Sequence, residues 1–392
     1  MPYRFGATQL RVVHSLLSDD PLLVKKARYL VLEHVLPTTA EYLRLLTEAG
    51  ADVAGMIAKP YSVNEQALDS ITKLGIDVVR KASYEEIEDD AVPQSLLQKA
   101  QQKSDGDGRK IVILDVGGYF AKALQEQDVR HVCGVVEDTT FGHNRYIRAA
   151  ENIRVPILSV ARSELKEIEA RFVGKDAVVA MDLILREIGI SISGRNALVI
   201  GYGMIGKNVA RTLARYDLKV YVYDRVDTRN LRAHSDGFTV HTKKKVLERA
   251  DIIFSATGTE AISGDNALSY KDMVDCCQPD VVLASVGSRK SEFAMASLRS
   301  KAVRRIELSD WLAKYELSTN KNIIVALDGS AVNFHLPSIP VEVLDLVFSE
   351  IVMCSLRLLK EDRTLAVGSV NSIGVKELSG VAKEWLRYLN QI

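Results

Sequence analysis

At 392 residues the chain is too long for one small core and is expected to hold two domains. Its 51 basic and 51 acidic side chains cancel, which removes the electrostatic argument for nucleic acid or an anionic membrane as a partner. Cys133, Cys276, Cys277 and Cys354 lack the spacing of a disulfide framework or a metal site, and the seven histidines add no metal spacing. A cytoplasmic protein without metal is expected.

The opening MPYRFGATQLRVVHS has no uninterrupted apolar core of the kind a secretory signal needs. From Ala27 onward, strands are predicted at 28–33, 52–58, 76–80, 110–116, 131–137 and 155–160. Between several of them lie TAEYLRLLTEAG, NEQALDSITKLG and FAKALQEQ, with apolar residues at three- and four-residue intervals. That alternation predicts a parallel sheet covered by helices on both faces. Ser104-Asp105-Gly106-Asp107-Gly108 reads as a surface loop. A long helical pattern at 162–189 leads to a second alternating series, with strands at 196–200, 219–223, 251–255, 279–286 and 322–327. The run Lys243-Lys244-Lys245 reads as a solvated helix face. The apolar stretch 341–359 carries Glu342, Asp345 and Glu350 at helical spacings, so it is expected to pack on the first domain rather than span a membrane. The predicted fold is α/β, with two doubly wound parallel-sheet domains.

Gly201-Tyr202-Gly203-Met204-Ile205-Gly206 follows the strand NALVI and opens the helical pattern GKNVARTLARY. A second strand, KVYVY, ends at Asp224, about 20 residues beyond the glycines. Strand, glycines, helix and acid together predict a dinucleotide site. The backbone can approach a pyrophosphate at a helix N-terminus, where unpaired amides favour anions. Asp224 would accept hydrogen bonds from the adenosine ribose and repel a 2′-phosphate, which favours NAD over NADP. Ser255-Ala256-Thr257-Gly258-Thr259 and Val286-Gly287-Ser288 also follow strands. They read either as cofactor-lining turns or as ordinary turns with capping hydroxyls. In the first domain His34, Asp115 and Asp138 fall at or just beyond strand ends, and together they predict a cleft facing the cofactor domain.

These residues carry a resemblance to S-adenosylhomocysteine hydrolase over nearly the whole chain. GYGMIGK resembles that family's GYGxVGK, and Asp115-Val116-Gly117-Gly118-Tyr119 its D-D-G-G-D. Glu137-Asp138-Thr139-Thr140-Phe141-Gly142-His143 is similar to E-E-T-T-T-G-V-H. His34 sits where the family has H-M-T, Lys166 where T-K-S-K-F-D-N carries its active-site lysine, and Val332-Asn333 at the V-N that meets the nicotinamide. The resemblance implies a substrate domain at 1–180, an inserted Rossmann NAD-binding domain at 181–339, and return helices at 340–392. It implies transient oxidation of a nucleoside's ribose at C3′ by NAD, which acidifies the C4′ proton. Lys166 would be the base at the ribose, its pKa lowered by the nicotinamide cation. Asp138 would hold the ribose hydroxyls, His34 would act near C5′, and Asp115 joins them as a catalytic group. Gly201, Gly203, Met204, Ile205, Gly206, Asp224, Thr139, Thr140, Thr257, Gly258 and Asn333 would hold NAD, in a homo-oligomer, dimer or tetramer.

Departures from the family pattern gather on the catalytic side. Its second aspartate is Val116 and its last Tyr119; the acid of E-E-T-T-T is shortened to Asp138 and the third threonine is Phe141. The aspartate and asparagine after the lysine become Ala170 and Arg171, and the G-H-F-D histidine is Ser288. The terminal KEWLRYLNQI stops before the family's tail, which bears on carrying over its tetramer. The expected outcome is therefore elimination, dehydration or epimerisation of an adenosine-type substrate. Alternatives are a true S-adenosylhomocysteine hydrolase with substituted acid–base groups and a catalytically silent NAD-binding regulator. A 2-hydroxyacid dehydrogenase would need an Arg, Glu and His set that cannot be assembled here.

Overall fold

A computed structural model describes residues 9–258, 266–287, 291–336 and 339–388. They fall into two compact units, Met1–Glu169 with Ser338–Ile392, and Ala170–Pro337. The first boundary lies at 169/170 rather than 180/181. The helix Glu164–Arg186 crosses it and already places Ala177, Val178, Met181, Ile184 and Leu185 in the second unit's core.

The first unit begins with β1 (Ala27–Val35), β2 (Asp52–Val63), β3 (Val78–Val79), β4 (Lys110–Asp115), β5 (Val132–Glu137) and β6 (Ile157–Ser159). Side chains of β1 alternate between two cores: Tyr29 and Val31 face one, Leu30 and Leu32 the other. A strand apolar on both faces requires helices on both sides of its sheet, the pattern of a doubly wound fold. The expected loop at 104–108 is instead the last turn of the helix Val92–Asp107, which ends at Gly108 with φ 71°. Arg28 is the cause. Its buried guanidinium donates to Ser104 Oγ at 2.8 Å and to Asp107 Oδ2 at 2.8 Å, which holds that turn helical.

The second unit contains β7 (Asn196–Ile200), β8 (Lys219–Tyr223), β9 (Thr239–Val240), β10 (Ile252–Ser255), β11 (Val281–Ser285), β12 (Ala302–Ser309), β13 (Leu312–Leu317) and β14 (Asn322–Ala326). Their order is β12-β13-β14-β11-β10-β7-β8-β9. The sheet is parallel from β14 to β9, and β12 and β13 extend it as an antiparallel edge. The periodicity of AVRRIELSDWLAKYELS did not announce this hairpin, because edge strand β12 is largely exposed and carries charges.

The chain then returns to the first unit as the helix Val341–Leu359, β15 (Val370–Ser372) and the helix Val375–Tyr388. β15 adds to β6 and completes the all-parallel order β15-β6-β5-β4-β1-β2-β3. Asp345, fully buried on the first of these helices, accepts the N–H groups of Val12 (3.0 Å) and Val13 (3.1 Å) in the opening turn of the helix Arg11–Asp19. No helix among the described residues is long and apolar enough to cross a membrane.

Candidate active site

In the second unit the chain leaves β7 through Gly201, whose φ of +93° suits glycine. Its N–H donates to Tyr223 O at 2.8 Å, so the turn stays on the sheet edge. The helix Met204–Arg215 starts immediately afterwards, with Gly203 at its N-cap. A Cβ on Gly206 would lie 1.9 Å from Gly201 O, so only glycine lets strand and helix pack this closely. A Cβ on Gly203 would meet nothing within 4 Å, so that side of the turn is open. The first-turn amides of Met204, Ile205 and Gly206 have no carbonyl partner within their helix. Open backbone and unpaired amides fit the diphosphate of a dinucleotide.

Asp224 closes this loop from the end of β8. It is 4% exposed, and its Oδ2 accepts Tyr202 N–H at 2.7 Å while Oδ1 accepts Val226 N–H at 2.9 Å. Arg229 lies 3.5 Å from Oδ2. Asp224 therefore shapes the glycine turn, and ribose hydroxyls would share its remaining lone pairs.

The 255–258 turn is built around Glu292, a residue that no sequence motif marks. Its buried carboxylate accepts Ser255 Oγ (2.5 Å), Thr257 N (3.0 Å), Thr257 Oγ1 (2.8 Å) and Gly258 N (3.2 Å). Burial pushes its pKa up against the pull of those donors. Thr257 and Gly258 are thus pinned as a rigid turn at the carboxyl end of β10. Asn333 lies on the short helical turn Val332–His335. Thr259 and Ser288 fall outside the described residues.

In the first unit, ionisable side chains gather at the carboxyl ends of the strands. Lys166 Nζ lies 2.8 Å from Asp138 Oδ2 and 2.6 Å from Glu169 Oε2. The three side chains are 12%, 13% and 15% exposed. Burial disfavours the Lys166 charge, but the two carboxylates outweigh it and raise the pKa. The expected lowering by the nicotinamide cation concerns the NAD-bound protein; the chain's own groups act in the opposite direction. Ala170 had suggested that an acid after the lysine was lost; Glu169, one position earlier, pairs with it instead. Asp138 Oδ1 is buried and accepts no hydrogen bond.

Glu137 anchors the same corner. Its carboxylate accepts Gly117 N (3.1 Å), Gly118 N (2.9 Å), Thr139 N (2.6 Å) and Thr139 Oγ1 (2.7 Å). Thr139 also caps the helix Thr140–Ala149 by accepting Gly142 N–H at 3.0 Å. Its hydroxyl proton is therefore committed to Glu137, and Thr140 is the partly buried first residue of that helix. Asp115 is 1% exposed; its Oδ2 accepts Phe120 N–H (2.9 Å) and the Tyr146 hydroxyl (2.7 Å). It organises the turn after β4 rather than standing on an open rim. Val116 and Tyr119 are buried, Tyr119 stacking on Tyr84 at 5.6 Å with the Arg145 guanidinium 4.8 Å from its ring centre.

His34 Nδ1 shares a 2.5 Å hydrogen bond with Ser62 Oγ. Burial, then the positive charges of Lys59 and Lys166, depress its pKa well below the ordinary value, so the ring is neutral near pH 7. Lys59 is 2% exposed, and among the described residues no carboxylate oxygen lies within 4 Å of its amine. Its pKa is lowered by burial, against the attraction of Glu33, Glu137, Asp115 and Asp138. Glu33 is pushed up to about 8, by burial first and then by Asp138. The structure thus joins Lys166 to Asp138 directly. It adds Glu33, Lys59 and Glu169, which no local motif marked, and Glu137, which opens the motif ending at His143 but is not among the site residues expected from sequence. Among the described residues no cluster suited to a metal occurs.

Comparison with known proteins shows what the chain is similar to. The profile of the S-adenosyl-L-homocysteine hydrolase NAD-binding domain matches residues 172–338. The adenosylhomocysteinase of Thermotoga maritima is 28% identical over 341 residues, 85% of this chain and 80% of that protein. That of Sulfolobus acidocaldarius is 30% identical over 322 residues, covering 80% and 73%. That of Sulfurisphaera tokodaii is 27% identical over 380 residues, covering 91% and 87%.

Proposed function

The chain belongs to the S-adenosyl-L-homocysteine hydrolase family, and on that premise we propose that it transiently oxidises the ribose 3′-hydroxyl of an adenosine-type nucleoside. Removal of the C4′ proton and elimination, dehydration or epimerisation would follow. NAD is the cofactor, and when bound it supplies the hydride acceptor. Gly201, Gly203 and Gly206, with the amides of Met204 and Ile205, would hold its diphosphate, and Asp224 would accept from its adenosine ribose. By the family resemblance Thr257, Gly258 and Asn333 would also contact it, as would Thr139 and Thr140.

The observation that carries this reading is the Lys166–Asp138 pair at 2.8 Å, with Asp138 Oδ1 buried and without a donor. A sugar hydroxyl is a donor of the right kind for that oxygen. The carboxyl groups of Asp138 and Glu169 beside Lys166 offer acceptor oxygens for the hydroxyl proton as hydride leaves the sugar. Lys166 keeps its own proton and stabilises negative charge developing on the sugar oxygen. His34, neutral and oriented by Ser62, can give or take a proton near C5′. Asp115 acts by fixing the turn beneath these groups.

Glu169 favours a second reading, hydrolysis of S-adenosylhomocysteine, because it returns an acid beside the lysine. One experiment separates the possibilities. Protein is denatured to identify bound NAD by mass spectrometry, then a nucleoside panel and S-adenosylhomocysteine are supplied to the NAD-loaded enzyme. Enzyme-bound NADH formed with a nucleoside supports oxidation; adenosine and homocysteine as products establish hydrolysis. Bound NAD with no NADH from any member of the panel would leave a silent NAD-binding regulator.

A further inference from the structure

Glu350 is fully buried on the helix Val341–Leu359, among Val347, Ile351, Val352 and Cys354. A carboxyl group there is costly unless something satisfies it. Its Oε2 accepts the Ser163 hydroxyl at 2.9 Å, and Ser163 Oγ in turn accepts Lys166 N–H at 2.9 Å. Among the described residues no cation nitrogen lies within 4 Å of it, and its Oε1 is buried without a partner. Ser163 has spent its acceptor role on Lys166, so it donates to Oε2. If the carboxyl is protonated, the proton therefore belongs on Oε1.

Its burial favours that protonated form. Burial comes first and outweighs Ser163 and Lys166, which favour the charge; Asp138 and Glu169 add smaller opposition to it, and the pKa is pushed up to about 8. Cys354, one turn on along the same helix, is buried and held as the thiol. Two groups flanking Lys166 are thus complementary and unfilled: an O–H donor on Glu350 and an acceptor on Asp138 Oδ1. A neighbouring hydroxyl and carbonyl on one sugar would satisfy both.

We propose that Glu350 is a further substrate-contacting acid, its Oε1–H donating to the sugar oxygen that becomes the carbonyl while Asp138 Oδ1 accepts from the adjacent hydroxyl. The inference rests on the ribose oxidation proposed above. Glu350 neither gains nor loses a proton in the step: hydride goes to NAD and the hydroxyl proton to the Asp138–Lys166–Glu169 group. A neutral acid aimed at a carbonyl oxygen stabilises it as a fixed donor in a dry site. The substrate class narrows to nucleosides with an unmodified 2′,3′-diol.

NAD-loaded wild type, Glu350→Gln and Glu350→Leu are compared with adenosine, by equilibrium dialysis and by the amplitude of bound NADH against pH. Leucine removes the donor and should weaken adenosine binding and NADH formation about tenfold, the scale of one lost hydrogen bond. Glutamine keeps an N–H donor and should recover most of both. Wild-type NADH amplitude should fall as pH rises through about 8, and glutamine should abolish that fall. Wild-type binding and pH dependence in the leucine variant, or equal losses in both variants, would overturn the role of Glu350. Adenosine bound by wild type without NADH would sink the oxidation, and dialysis would still judge Glu350. Failure of wild type to bind adenosine overturns both.

Discussion

The glycine turn of the second unit and the acid-rich sheet end of the first both hold charge at strand termini, but they are built from different material. In the turn, backbone does the work. Gly201, Gly203 and Gly206 let amides and a helix terminus present themselves, and a side chain enters only as Asp224 or Glu292, bonded back to the loop. At the sheet end, side chains from β1, β2, β5, the helix Glu164–Arg186 and the helix Val341–Leu359 balance one another's charges. A backbone site tolerates change around it, whereas a side-chain site depends on every partner being present. Each variant below tests that contrast.

Lys166→Met should have the largest effect. It leaves Asp138 and Glu169 facing each other in a largely buried place without their cation. Breaking such a pair is expected to cost about 3 kcal/mol or more, read by urea unfolding. NAD should still co-purify. A cost below ~1 kcal/mol would mean that the charges are solvated and the contrast false.

Gly206→Ala comes next. The new methyl group would sit 1.9 Å from Gly201 O, and overpacking of this kind is expected to cost about 1–3 kcal/mol. The purified variant should carry much less NAD than wild type. Full NAD occupancy with unchanged melting would remove the glycine turn as the cradle.

The last effect is a slope, spread over several pH units. Glu33 and Glu350 have folded pKa values near 8 against an ordinary 4.5. Across that interval the folded chain binds more protons than the unfolded one, so stability falls as pH rises from roughly 5 to 8, by up to about 1.4 kcal/mol per pH unit for each group. Below this window both states are protonated, and above it both are ionised. Glu33→Gln should flatten part of the slope in urea titrations across that range. Wild-type stability that rises with pH there would contradict neutral buried acids.

The same contrast explains how much of the molecule is legible in its amino-acid order. The glycine turn is a local message: strand, three glycines, helix and acid lie within 30 residues, so Gly201 to Asp224 can be read directly. Lys166 stands out only through a family resemblance, since nothing local distinguishes it from a surface charge, whereas Asp138 is also marked by its place just beyond a strand end. Glu350 looks like the polar face of an amphipathic helix, yet the fold buries it. Lys59 carries no mark of its own inside a strand, and Glu169 is hidden because the family's acid belongs at the next position, where this chain has Ala170. Glu292 is invisible for a different reason: its partners, Ser255 to Gly258, are more than thirty residues away. The loop expected at 104–108 failed because its composition suggests a turn, whereas Arg28 supplies tertiary contacts that extend the helix.

Asp345 binds Val12 from 333 residues further along the chain. β6 gains its outer neighbour only when Val370 pairs with Ile157. On the ribosome, then, the first unit must wait with an unpaired strand edge and an uncapped opening helix while the second, one uninterrupted stretch, is made in full. The unit whose synthesis begins first is thus the one whose contacts can be completed last.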